Sequence, residues 1–238
     1  MSKKHIFKDN ESIVEAFGQL IYKEVSKAES FHISLSGGTT PTFLFEYLAK
    51  EYKDKMDWKK VHLYWGDERC VPPTDPQSNY GVVFEKLLQH IKIPAKNVNR
   101  IKGENDPKKE ALRYASVLRR KLPRRNNIPI FDFVLLGMGG DGHTASIFPH
   151  QMELLSSKAL CAVATHPESG QKRISLTGRI INAAKSKHFL VTGKSKTAML
   201  ANILLQKEGY LVYPAAHIQG ANWWMDDLAA SDRFPAEK

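Results

Sequence analysis

Leu135-Leu136-Gly137-Met138-Gly139-Gly140-Asp141-Gly142-His143-Thr144-Ala145-Ser146-Ile147-Phe148-Pro149 decides the fold. An apolar run (Phe131, then residues 133–136) stops at a turn carrying four glycines. A buried strand that runs into a glycine-rich turn is how an α/β protein presents polar groups at the carboxyl edge of its sheet. Glycine lets the backbone take positive φ and approach a ligand closely. Asp141 and His143 on such a turn make a general base with an orienting partner. Taken alone, the same residues also describe a tight turn with a surface histidine.

Working outward, the chain alternates strand and helix patterns. Helical spacing starts at Asn10, read as an N-cap, and continues through Ile13, Val14, Phe17, Leu20 and Ile21. Strands are expected over residues 31–35, 61–65, 131–136, 160–165, 173–177 and 188–192. Helices are expected after residue 40, over 79–90, from an Asp106 N-cap with Pro107 at the first position to about 122, over 178–184 and over 195–207. This alternation implies an α/β fold, a mainly parallel Rossmann-like sheet with helices on both faces. One domain over residues 1–238 is expected, with a small extra lobe around the strands at 160–177. Trp223-Trp224 reads as aromatic packing.

The bulk properties narrow the function. At 238 residues the chain is long enough for a sizeable core. No apolar run reaches the length of a membrane span, and the polar start Met1-Ser2-Lys3-Lys4-His5 does not read as a signal peptide. The two cysteines, Cys70 and Cys161, lack metal-ligand spacing and form no disulfide framework, so a cytoplasmic location is the default. A net charge of +10 suits nucleic acid, a membrane surface or small anions. The cluster Arg119, Arg120, Lys121, Arg124 and Arg125 lacks interleaved aromatics and reads as a solvated helix end. Nucleic-acid binding through that surface is the alternative, with salt-dependent affinity as its mark.

Three further segments share the character of the first. Ser36-Gly37-Gly38-Thr39-Thr40-Pro41 lies between a strand and a helix, where free amides and hydroxyls can surround a phosphoryl group. It has neither the G-K-[ST] ending of a P-loop nor the dinucleotide glycine spacing. Gly66-Asp67-Glu68-Arg69-Cys70-Val71-Pro72 puts three charges directly after an apolar strand, with Ser78-Asn79-Tyr80-Gly81 as its partner segment. Arg173 and Lys194 are cations near strand ends, suited to charge-assisted bonds with a phosphate.

Taken together, S-G-G-T-x-P, G-D-E-R-x-V-P with S-N-Y-G, G-x-G-x-D-G-H-T-A-S-x-F-P and R-x-S-x-T resemble the 6-phosphogluconolactonases, relatives of the glucosamine-6-phosphate deaminases in the glucosamine/galactosamine-6-phosphate isomerase superfamily. The resemblance runs from Ser34 to the chain end. It implies a NagB/RpiA-like fold, hydrolysis of 6-phospho-D-glucono-1,5-lactone to 6-phosphogluconate in the oxidative pentose phosphate pathway, and neither metal nor organic cofactor. Deaminases carry a glutamate before the proline of the D-G-H segment, and this chain has Phe148 there. On this basis His143 is expected to activate water, with Asp141 orienting it. Arg69 is expected to stabilise the oxyanion or hold the lactone, and Asp67 to position Arg69 or the sugar hydroxyls. A catalytic role for Asp67, and whether it or Asp141 supports His143, are left open by the sequence. Ser36, Gly37, Gly38, Thr39 and Thr40, with Arg173 and Lys194, hold the phosphate. The expected partner is the sugar-phosphate lactone, with no nucleic acid and no membrane, on a monomer or weak homo-oligomer. An amino-sugar-phosphate deaminase or isomerase and a non-catalytic sugar-phosphate module are the other classes.

Overall fold

The computed structural model describes residues 2–231. Both ends of the expected single domain, residue 1 and residues 232–238, lie outside the described residues. Its strands are β1 (Lys4–Phe7), β2 (Phe31–Leu35), β3 (Val61–Trp65), β4 (Asp67–Arg69), β5 (Val98–Asn99), β6 (Arg124–Arg125), β7 (Ile128–Pro129), β8 (Phe133–Leu136), β9 (Cys161–Thr165), β10 (Lys172–Leu176), β11 (Ser186–Val191) and β12 (Asn222–Asp226). Its helices are α1 (Asn10–Lys27), α2 (Thr39–Glu51), α3 (Asn79–Lys86), α4 (Pro107–Lys121), α5 (Glu153–Ser156), α6 (Gly178–Ala183), α7 (Thr197–Leu204) and α8 (Asp227–Ala230).

Seven strands form the central sheet in the order β1-β12-β11-β8-β2-β3-β5, and every pairing in it is parallel. All side chains of β2 and β8 are buried. Successive side chains of a strand point to opposite faces, so these central strands are covered on both sides. The chain leaves β2 toward β3 on one side and leaves β8 toward β11 on the other. Neighbouring strands whose connections diverge leave a crevice at their carboxyl ends, the place where α/β sheets bind ligands. The loops after β2 and β8 flank that crevice.

A second, antiparallel sheet, β4-β10-β9, stands beside the first. It contains the strands from which a small lobe was expected. Helix α4 packs against β9 and β10, so the two sheets share one apolar core.

The structure corrects several boundaries. Asp9, not Asn10, caps α1, because its carboxylate accepts from the Ser12 amide. The strand expected from residue 131 begins at Phe133, and the helix expected to residue 90 stops at Lys86 before a short 3-10 turn. The helix expected from residue 195 starts at Thr197, after a 3-10 turn over Lys194–Lys196. Three strands of the central sheet, β1, β5 and β12, carried no clear strand pattern. They are held by their parallel pairing, and Trp223 stacks on Phe189 with ring centroids 4.0 Å apart while Trp224 stacks on His5. The packing expected of these tryptophans is therefore present, on a strand. The arginines of the basic cluster are exposed, and Arg124 turns back to donate to the Arg119 carbonyl at the end of α4. No described helix is long and apolar enough to cross a membrane.

Candidate active site

Because the central sheet is wholly parallel, the ends of β2, β3, β8 and β11 deliver their loops to one edge. There they enclose a cleft of about 450 Å³. The turn at residues 36–40 and His143 line the same cleft, as do Asp67, Arg69 and Arg173.

His143 is held from one side. Its Nδ1 lies 2.6 Å from Asp141 Oδ1, and the same carboxylate accepts from the His143 amide at 3.2 Å. Burial opposes ionisation of Asp141, but the hydrogen bond to His143 and the attraction of its charge prevail and hold the carboxyl at about 2. Asp141 therefore stays a carboxylate at neutral pH and fixes the imidazole proton on Nδ1. Nε2 is then the basic nitrogen left for chemistry. The turn depends on its glycines at two points. A Cβ on Gly139 would stand 2.2 Å from His143 Nδ1 and 2.5 Å from Asp141 Oδ1. Gly142 takes φ +79°, and a Cβ there would strike Tyr213.

The opposite wall comes from the small sheet. Strand alternation turns Asp67 and Arg69 to one face of β4 and Glu68 to the other. In the antiparallel register Arg69 stands across from Arg173, and Asp67 across from Ser175. Two cations directly opposite each other repel, an arrangement that favours an anion between or beside them. Each guanidinium has a buried Nε with no hydrogen-bond partner among the described residues. Burial lowers the Arg173 pKa, as does the charge of Arg69, while the nearby Asp67 and Asp141 raise it.

Asp67 is held rather than paired with an arginine. Ser146 Oγ donates to its Oδ2 at 2.6 Å, and Asn79 Nδ2 donates to its backbone oxygen at 3.0 Å. Glu68, which carries no expected role, is buried on the far side. Its oxygens accept from the amides of Arg69, Asn79 and Tyr80 and from Ser78 Oγ. Burial raises its pKa against the pull of those three amides. Glu68 thus clamps the start of α3 to β4 and sets Asn79 beside Asp67.

The loop after β2 supplies the third wall. Gly38, at φ 116°, precedes α2 and offers no side-chain cap, and Pro41 has no N–H, so the Thr39 and Thr40 amides are the first-turn donors left for a ligand. Thr40 Oγ1 lies 2.6 Å from Thr192 Oγ1, which ties the start of α2 to the end of β11. Lys194, expected to hold the phosphate, is exposed and lies outside the cleft lining. Gly193, at φ 90°, begins the turn over Lys194–Lys196, and this turn brings the second lysine, Lys196, to the wall instead. Asn10 also lines the cleft, since Asp9 has taken the capping role. A lysine in this segment was legible. Which of the two reaches the cleft depends on a 3-10 turn that has no periodic signal.

Comparison with known proteins agrees with this architecture. Residues 8–225 match the family model described as glucosamine-6-phosphate isomerases/6-phosphogluconolactonase. The chain is 46% identical over 215 residues to a 6-phosphogluconolactonase of Haemophilus influenzae, covering 88% of this chain and 90% of that one. It is 44% identical over 201 residues to a 6-phosphogluconolactonase of Treponema pallidum, covering 84% and 83%. The crystal structure of devB protein superposes with a TM-score of 0.93 at 41% identity, covering 97% of this chain and 99% of that one. On the match of its residues 8–225 and the extent of these identities, the chain belongs to the glucosamine-6-phosphate isomerase/6-phosphogluconolactonase family.

Proposed function

We propose that this chain is an enzyme that hydrolyses 6-phospho-D-glucono-1,5-lactone to 6-phosphogluconate, with His143 as the base. One observation carries the proposal: an imidazole fixed through Nδ1 by Asp141 at 2.6 Å shares a cleft with two guanidiniums whose Nε groups lack partners among the described residues. A lactone is an activated ester. It needs a base for water, charge to meet the oxyanion, and a grip that orients the ring. Nε2 of His143 takes a proton from water as the water oxygen bonds to the carbonyl carbon. Arg69 meets the negative charge that develops on the carbonyl oxygen. As the tetrahedral intermediate collapses, the ring C–O bond breaks and the imidazolium returns its proton to the departing oxygen. Asp67 accepts from a sugar hydroxyl. The first-turn amides of α2, with Ser36 to Thr40, Arg173 and Lys196, hold the phosphate, and Lys196 takes the place expected of Lys194.

The test is acid release from freshly prepared lactone at constant pH, corrected for spontaneous hydrolysis. A protein-dependent rate that saturates with substrate is the expected result. A rate equal to the spontaneous one contradicts the proposal, and release of ammonia from glucosamine 6-phosphate would place the chain with the deaminases instead.

A further inference from the structure

Phe148 is fully buried, yet its ring touches two groups of the cleft. The Arg173 guanidinium carbon sits over the ring, 5.5 Å from its centroid. The His143 ring lies 4.7 Å away, tilted by 53°. Arg173 makes no ion pair among the described residues, and its Nε has no partner. Asp67 and Asp141 attract this half-buried cation through space, but neither carboxylate bonds it directly.

We propose that Phe148 is a positioning residue that keeps Arg173 ready for the substrate phosphate. The physical reason lies in which atoms each contact uses. A carboxylate partner would take the in-plane N–H donors of the guanidinium as a bidentate pair. An aromatic face attracts the cation through its quadrupole and leaves those donors unspent. The cross-strand repulsion from Arg69 makes such a hold useful, because among the described residues no side chain bonds the Arg173 guanidinium as an ion pair. The same ring braces the catalytic imidazole, so one side chain spaces the base from the phosphate grip. This inference rests on the assignment of Arg173 to the phosphate made above.

The test replaces Phe148 by mono-, tri- and pentafluorophenylalanine, which keep the shape of the ring while progressively removing its negative face. Binding of inorganic phosphate is followed by phosphorus NMR and binding of 6-phosphogluconate by calorimetry, in the wild-type background and with Arg173→Ala. The dissociation constants should rise stepwise with fluorine content, by roughly 2- to 30-fold across the series. With Arg173→Ala the series should be flat. A flat series with Arg173 present overturns the inference, and so does an equal rise in its absence, which would be a packing effect. A wild-type protein that binds neither ligand overturns the phosphate assignment as well.

Discussion

At the scale of single residues, the chemistry rests on the imidazole of His143 and the carboxylate 2.6 Å from it. His143→Ala should lower kcat by about 100- to 10,000-fold, the range for loss of a general base. Affinity for 6-phosphogluconate should stay within about twofold if binding is carried elsewhere in the cleft. Asp141 holds its proton only near 2, so its own titration should leave no inflection in the pH–rate profile above about pH 3. An inflection near the ordinary aspartate value that vanishes in Asp141→Asn would contradict that assignment. For the phosphate, Lys196→Ala should raise KM by about 10- to 100-fold, the worth of a charge-assisted bond, while Lys194→Ala leaves it unchanged. Steady-state kinetics of the two variants separates them, and the reverse pattern would return the role to Lys194. Asp141 and His143 were legible as candidates on one glycine turn, but Asp67 was an equal candidate to support the imidazole until the fold set Asp141 Oδ1 2.6 Å from Nδ1. Glu68 was not, since a carboxylate among charged neighbours reads as solvated until α3 folds its amides onto it.

At the scale of elements, the loop after β8 and the start of α2 do the positioning. Gly139→Ala should displace the His143–Asp141 pair, because the added Cβ meets both partners at 2.2 Å and 2.5 Å. A displacement on the order of 1 Å at the base costs about 100-fold in rate. The expected result is a large loss of kcat in a protein whose unfolding midpoint in urea is close to that of the wild type. Full activity would show that the turn yields more readily than its contacts imply. Of the central strands, β8 was readable as a continuous apolar run and β2 as Phe31, Ile33 and Leu35 alternating with His32 and Ser34. β1 and β12 were not, because a four-residue strand that begins Lys4-His5 and a five-residue strand between Asn222 and Asp226 acquire strand character only from their neighbours. The small sheet was anticipated as a lobe, but its antiparallel register was not. That register is what sets Arg69 against Arg173.

At the scale of the whole molecule, the core contains two histidines that fold in the neutral form. His188 accepts from Trp224 Nε1 at 3.1 Å, contacts Ser186 through its other nitrogen, and stacks on Phe133. Burial lowers its pKa to about 3, helped by His5 and Lys187. Burial and the neighbouring His62 lower His32 to about 4, with Lys185 adding to the effect and Asp132 opposing it. Both folded values lie below that of an unfolded histidine, so below about pH 6.5 the unfolded chain binds more protons than the folded one. Their contribution is complete above that pH and is lost as pH falls toward the folded values. Urea unfolding should show stability falling by about 2 kcal/mol between pH 6 and pH 5 from this pair. No change over that interval would contradict the neutral assignment. The parallel architecture and the edge carrying the site follow from the strand–helix alternation, whereas the cleft itself depends on how four loops meet. The central claim is that His143 acts on a lactone whose phosphate is gripped in the same cleft. Its most direct test is acid release from fresh 6-phosphogluconolactone, compared between the wild type and His143→Ala at matched 6-phosphogluconate affinity. Saturable hydrolysis by the wild type that falls to near the spontaneous rate in the variant is the predicted result. Near-normal turnover without the imidazole would contradict it.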